Sequence, residues 1–498
     1  MDLLSEIRLF YKAGIINIVG AKGKLRRLGE CKWGHWLIQV PHLRSFLRMN
    51  ARLSWWWQDT VFIIRTALRS SVAKNAASLY AIQFANYILS LITVPYLVRV
   101  LGPAGFGMVA FGQSLIAYFA LFVDYGFGLS ATRKISVNRN DSAKLSQIVF
   151  HIWAAKAFLC VVGLATLLFL IMIVPKLREV ALLSFILYGT VVGSALFPAW
   201  LFQGMERMVA ISVINLVMRL IVVIGIFTMI HRPGDYLLYA GLTSLGAVGS
   251  GLFGVGVAFY MFKLHLAIPS WRGIWEELVE GWMLFLSMAS VSLYTVGNAF
   301  ILGLLTNHTV VGYYTAAEKI VKAVLGLLGP VSQAAYPRFS KMASESKTVA
   351  LQWARRMLIV MSGLGLVLSL TLFASAPSIV RIVLGPEYEP SIMVMRILAA
   401  LTLLVGASHV LGIQLMLPFG KDKAFTAILL GAGLINIMFA ILFAANYQAS
   451  GMAIAVLLSE TFVTIAMLIY LSLSELKPLT KLPVEDRSTV LPLRRGEN

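Results

Sequence analysis

Eight ionisable side chains stand where ionisable side chains are costly. Lys156, Arg219, Lys319, Lys322 and Arg396 lie inside long apolar runs, and so do Asp124, Glu318 and Glu460. At the centre of a membrane-spanning helix a charge costs about 2.5–3.5 kcal/mol on insertion scales, so such groups face a wet cavity or a partner. Five of them are bases and three are acids. Glu460 has no base within one helical turn. A carboxyl so placed is suited to exchanging a proton or holding a cation.

Each residue also has a plainer reading. Arg396 and Lys156 lie near the ends of their runs, so their long side chains reach the interface while the stems stay in the apolar layer. Glu318 and Lys322 are four apart and can neutralise each other, which leaves Lys319 without a local acid. Lys319 and Lys322, three apart, share a helix face with Thr315 and Gly326. Asp124 is within reach of Arg133, or caps the loop that follows it. Arg219 has neither a local acid nor a nearby helix end. His151 and His409 stand alone and read as structural.

The stretch GPAGFG, with Gly102, Gly105 and Gly107, sets glycines close enough together to raise the question of a phosphate cradle. A dinucleotide fingerprint needs a short strand before the glycines and a helix after them. Here the preceding run, Asn75 to Val98, is too long for a strand, and the following one is equally apolar. The cluster is predicted to be a turn between two membrane helices.

These groups must be positioned by helices. Of the 498 residues 59% are hydrophobic and 13% charged, about half the charge of a soluble protein. Runs of about 20 apolar residues are needed to span hydrocarbon about 30 Å thick. Twelve are predicted, near 75–98, 105–128, 148–173, 181–202, 208–230, 237–261, 282–305, 312–334, 357–376, 391–416, 424–445 and 451–473. Runs this long exclude barrel strands, and only helices satisfy every backbone group within a segment. The expected fold is an all-α membrane protein.

The net charge of +20 does not require a nucleic-acid partner. Arg133, Lys134, Arg139 and Lys144 fall in one predicted loop, and Arg338, Lys341, Lys347, Arg355 and Arg356 in another on the same side. That asymmetry is the positive-inside pattern, and it predicts both termini in the cytoplasm. Cys31 and Cys160 lie on different segments and form no metal framework. No GxxxxGK[ST] loop is present, and no cofactor, metal or catalytic role is expected. Residues 1–72 stand apart, with the basic run KGKLRR and the patch SWWWQD. They read either as an amphipathic segment lying on anionic lipid or as an over-long start, with Met49 as a later initiator.

A weak internal repeat runs through the spans. An offset of 205 residues sets Gly107 against Gly312 and Arg133 against Arg338, and an offset of 216 sets QGMER against FGKDK. Six helices per half is an even number, so the halves share an orientation and relate by an axis along the membrane normal.

Several stretches together carry a resemblance. They are NAASLYAIQFANYILSLITVPYLVRVLGPAGFGMVAFGQSL, DYGFGLSATRKIS (Asp124–Ser136), FPAWLFQGMERM, VGYYTAAEKI and YPRFSK. Over about 73–474 the chain resembles the O-antigen-type polysaccharide flippases of the multidrug/oligosaccharidyl-lipid/polysaccharide exporter superfamily. The resemblance implies two six-helix lobes around a central cavity, expected at 73–262 and 282–474. Between and after them come a cytoplasmic linker at 263–281 and a cytoplasmic tail at 475–498. It further implies a multi-pass protein of the bacterial inner membrane that moves a polyprenyl-pyrophosphate-linked oligosaccharide between leaflets by alternating access. Membrane lipids, a proton or cation gradient and a polysaccharide polymerase machinery are the implied partners. On this reading Arg219, Lys322, Lys319, Lys156 and Arg396 are candidates to receive the pyrophosphate. Glu460, Glu318 and Asp124 are candidates for coupling. The competing reading is a cation-coupled multidrug exporter of the same superfamily, whose cavity would favour acids over bases. A membrane glycosyltransferase or polymerase would want a large extramembrane loop, which the short connections do not provide.

Overall fold

Each apolar run folds as a helix because a peptide group in hydrocarbon finds its hydrogen-bond partner only within its own segment. The computed structural model describes residues 71–474 and Leu476. The basic, Trp-containing segment lies outside the described residues apart from its last two, and so does most of the tail. By contacts the chain divides into Met1–Tyr80 and Ala81–Asn498. Of the first unit the described part is the helical stretch from Ser71, and the second unit carries every helix after it.

The order is α1 (Ser71–Asp124), α2 (Phe127–Val137), α3 (Ser142–Ile173), α4 (Ala181–Leu196), α5 (Ala199–Gly204), α6 (Met208–Met229) and α7 (Tyr236–Phe262). Then come α8 (Trp271–Thr295), α9 (Asn298–Leu305), α10 (His308–Leu325), α11 (Gly329–Glu345), α12 (Lys347–Ile379), α13 (Ser391–Ala399), α14 (Leu401–His409) and α15 (Asp422–Leu473). Among the described residues there is no strand.

Among the described residues, eight helical stretches are long and apolar enough to cross a membrane. Two of these are too long to cross once. At 1.5 Å per residue, α1 with its 54 residues and α15 with its 52 would each extend roughly 80 Å, against about 30 Å of hydrocarbon. Each contains one break. In α1 it is Gly102, at φ 65° and ψ 175°, a backbone conformation that favours glycine. In α15 it is Gln448, at φ 51° and ψ −128°. GPAGFG is therefore a bend between the first and second spans. The seventh and eighth spans, carried by α8 with α9 and by α10 with α11, are not among the eight stretches; α10 holds three charges, Glu318, Lys319 and Lys322, within its 18 residues. These two spans complete a fold of twelve transmembrane helices in two lobes of six.

Local chemistry fixes where the helices start. Asp141 accepts from the Lys144 amide at 3.0 Å, Ser270 from Gly273 at 3.1 Å and Asn307 from Val310 at 3.0 Å, each satisfying an otherwise orphaned N–H of a first turn. The helix carrying the seventh span begins at Trp271, ahead of its apolar run at 282, because the Ser270 cap sets the start. Between helices, small residues allow the backbones to approach, as membrane helix packing requires. A Cβ on Gly251 would stand 2.7 Å from the Gly193 carbonyl oxygen, so α4 and α7 meet backbone to backbone.

Candidate functional site

The two halves meet backbone to backbone at Gly107 and Gly312. A Cβ on Gly107 would fall far inside contact distance of the His308 carbonyl oxygen and 2.7 Å from the Gly312 amide nitrogen. A Cβ on Gly312 would in turn collide with the Pro103 carbonyl oxygen. His308 is related to Pro103, and Gly312 to Gly107, by the 205-residue offset of the repeat. The contact is therefore reciprocal, as an interface across a two-fold axis must be. Phe111 fills the space beneath it, stacked on Phe300 at 5.6 Å and packed 5.7 Å from His308.

Polar contacts on the same face brace this clasp. The Tyr388 hydroxyl donates to the Val98 carbonyl at 3.1 Å. The Arg99 guanidinium donates to the carbonyls of Ile382 and Val383. Glu179, between the third and fourth spans, takes Lys176 and His308 at 3.0 Å each. The Lys176 and His308 hydrogen bonds hold the Glu179 carboxyl below the usual carboxylate range. Burial pushes the His308 imidazole below its ordinary value, although the Glu179 hydrogen bond works against the shift. A base held low in the closed clasp contributes to closure above its ordinary pKa, and that contribution is lost as pH falls through the lowered value. Acidification from about pH 7.5 to about pH 5 is therefore expected to speed labelling of a cysteine placed at Thr309, and His308→Gln to flatten the dependence. A flat profile in the unsubstituted chain would contradict this role for the imidazole.

On the opposite, basic face the second and seventh spans also touch. Tyr125 stacks on Phe285 at 4.9 Å, and Lys134 pairs with Glu277 at 2.9 Å and Glu280 at 2.6 Å.

The candidate charges fall into separate settings. Lys156 is 2% exposed, and its ammonium meets Asp124 at 2.9 Å. The reading that joined Asp124 to Arg133 thus gives way to a partner on the third span, which a scan of local spacing does not reach. Asp124→Ala strips a buried ammonium of its counter-charge, a change that costs about 3–5 kcal/mol for a fully buried pair and less here because Asp124 is part-exposed. The expected result is a lower unfolding temperature in detergent, largely restored in Asp124→Leu with Lys156→Met. A double variant as unstable as the single one would refute the pairing argument.

Glu318 and Lys322 do pair, at 3.0 Å. Glu318 Oε1 also accepts from the Tyr314 hydroxyl at 3.1 Å, and Asn298 on α9 hydrogen-bonds the same phenol. Lys322 keeps 55% of its side chain exposed. The Lys319 ammonium lies 4.8 Å from the ring centroid of Phe106, so it reaches from the eighth span to the second. Arg219 is exposed and donates to the Ser90 hydroxyl on the first span. Beside it Tyr239 hydrogen-bonds Gln113 and feels the Arg219 charge. Glu460 accepts from Ser408 at 2.8 Å. Arg396 lies in a groove of its own, lined by the ninth, tenth and twelfth spans.

Sequence reasoning passed over the neutral amides. Asn298, Gln414 and Asn436 are all buried and hydrogen-bonded to other helices or within them: Gln414 to Ser332, Asn436 to Ser459. A search of the spans for amides, and not only for charges, would have found them.

A family model described as polysaccharide biosynthesis protein matches residues 72–343, more than half of the chain. The chain belongs to that family. Its relatives include a candidate O-antigen transporter of Escherichia coli (strain K12), 31% identical over 400 residues, covering 80% of this chain and 96% of the relative. Another, from Shigella dysenteriae, is 29% identical over 403 residues, covering 79% and 98%. Among solved structures, the lipid II flippase MurJ in an inward closed conformation aligns with a TM-score of 0.62 at 13% identity, over 80% of this chain and 88% of that one. An inward-facing multidrug resistance transporter of the MATE family aligns with a TM-score of 0.54 at 14% identity, over 79% and 96%. At these identities the likenesses show the fold alone, twelve helices in two lobes, which this chain shares with both.

Proposed function

We propose that this chain is a flippase that carries a polyprenyl-pyrophosphate-linked oligosaccharide across the bacterial inner membrane by alternating access, for surface polysaccharide synthesis. Family membership and the transporter relatives support a carrier over an enzyme. The observation that carries the mechanism is the reciprocal clasp between the two halves: a two-fold contact of bare backbone can open and re-form as a unit. Arg219 and the Lys319–Lys322 face are the cations that receive the diphosphate. Glu460, Glu318 and Asp124 are the carboxyls available for coupling to a proton or cation gradient, although Asp124 is already engaged by Lys156. The lobes are 73–262 and 282–474, joined by 263–281. The basic face is cytoplasmic, with both termini and the 475–498 tail on that side, so the clasp closes the outer side.

Reconstitution into vesicles with a polyprenyl-linked glycan tests this reading, with access of the glycan scored from each leaflet. Protein-dependent movement of the glycan lipid is expected. Export of a cationic dye without glycan movement would favour the multidrug alternative, to which the fold likeness alone extends. In cells, cysteines at Ser142 and Ser344 are expected to label only after permeabilisation. Labelling from outside at either position would invert the topology.

A further inference from the structure

Arg396 is an in-span cation with an apolar groove to itself. The groove holds about 500 Å³ between α12, α13 and α15, and apart from Ser369 and Arg396 its lining is apolar, with Leu370, Phe373, Met393 and Leu457 on its walls. That volume lies within the range of ordinary small-molecule sites, about 300–1,000 Å³. The guanidinium carbon stands 5.4 Å from the ring centroid of Phe373, and Arg396 Nε is buried with no hydrogen-bond partner among the described residues. A charge so placed in hydrocarbon calls for an anion.

Depth and exposure say where that anion comes from. Arg396 follows Ser391, the first residue of α13, by a distance of about 7–8 Å along the axis. Ile454 lies a similar way after the break at Gln448, while Phe373 lies deeper, since α12 continues beyond Ile379 as a π-helical turn to Leu384. The groove thus occupies one leaflet only, on the clasp face. A helical side chain leans toward its helix N-terminus, which here tilts Arg396 toward the headgroups. Leu366, Val367, Leu370, Phe373 and Met393 are large, apolar and exposed beside it. A row of that kind faces acyl chains, not a water-filled path.

We propose that this groove holds an anionic phospholipid of the clasp-face leaflet, its phosphate on the Arg396 fork and an acyl chain along Leu370 and Leu457. A bilayer phospholipid is the occupant because the groove opens directly to the bilayer, where such lipids are the abundant anions. The guanidinium matches phosphate oxygens with two parallel donors. The site is distinct from Arg219 and the Lys319–Lys322 face, which receive the transported diphosphate, and its test does not depend on transport.

Native mass spectrometry of the full chain in detergent reads it out, with dioleoylphosphatidylglycerol as probe and dioleoylglycerol, which lacks the phosphate, as control. The phospholipid is expected to stay bound and the diacylglycerol to be lost. Arg396→Leu should weaken retention about tenfold, and Arg396→Lys by less, since the ammonium keeps the charge and loses the fork. Leu370→Trp narrows the groove from an exposed position with the arginine intact, and should weaken retention to a similar degree. Unchanged retention in both Arg396→Leu and Leu370→Trp would overturn the proposal. So would equal retention of diacylglycerol, or displacement of the phospholipid by polyprenyl phosphate at equal concentration.

Discussion

Gly107→Ala and Gly312→Ala should each reduce transport by about ten- to a hundredfold while the protein still reaches the membrane. The added methyl group at either position occupies the space of a backbone carbonyl on the other half, His308 in one case and Pro103 in the other. Backbone cannot yield as a flexible side chain would, so the halves must separate. Overpacking of this kind costs about 1–3 kcal/mol, and each 1.4 kcal/mol shifts a two-state population about tenfold. The clasp would then spend most of its time open, and a carrier that cannot close its outer side cannot reset. Two features make the prediction specific. The reciprocity of the contact requires the two variants to behave alike, and a cysteine at Thr309 should label faster from outside in both. Gly256→Ala supplies the control, since a Cβ there meets nothing within 4 Å. Normal surface polymer in both clasp variants at normal protein level would remove the clasp from the transport cycle.

Neutralising the cations that face the substrate should have the next largest effect. Arg219→Ala is expected to cut polymer export about ten- to a hundredfold, the value of a charge-assisted hydrogen bond worth about 1.5–3 kcal/mol. A guanidinium has five N–H donors, so holding Ser90 and receiving a phosphate are compatible. Arg219→Lys should restore only part, because the ammonium is a point charge without the fork. Lys322→Ala is expected to reduce export as well, and Lys322→Arg to be tolerated better. Lys322 also neutralises Glu318, so its loss leaves a carboxylate held by Tyr314. The double variant Glu318→Gln with Lys322→Ala separates the two roles. Recovery of export in the double variant would make Lys322 a partner of Glu318 and nothing more. If Arg219→Ala and Lys322→Ala both export normally at normal protein level, the cationic route through these residues is wrong.

Much of this protein is determined by its sequence alone. Twelve runs of about 20 apolar residues leave the backbone no option but helix, because hydrocarbon offers no other hydrogen-bond partner. The bend at Gly102, the four-residue spacing of Glu318 and Lys322, and the register that pairs Gly107 with Gly312 are local or periodic, and so can be read off the chain. What joins across helices cannot. Asp124 finds Lys156 on the third span, Arg219 finds Ser90 on the first, and Lys319 finds the ring of Phe106 in the other half. Each of these pairings depends on which faces of two distant helices meet, and apolar faces in a membrane carry almost no sequence signal for that choice. The repeat could predict that Gly107 and Gly312 are equivalent. Only the packed structure placed them in contact, because equivalence under a two-fold axis becomes contact only for residues that lie close to it.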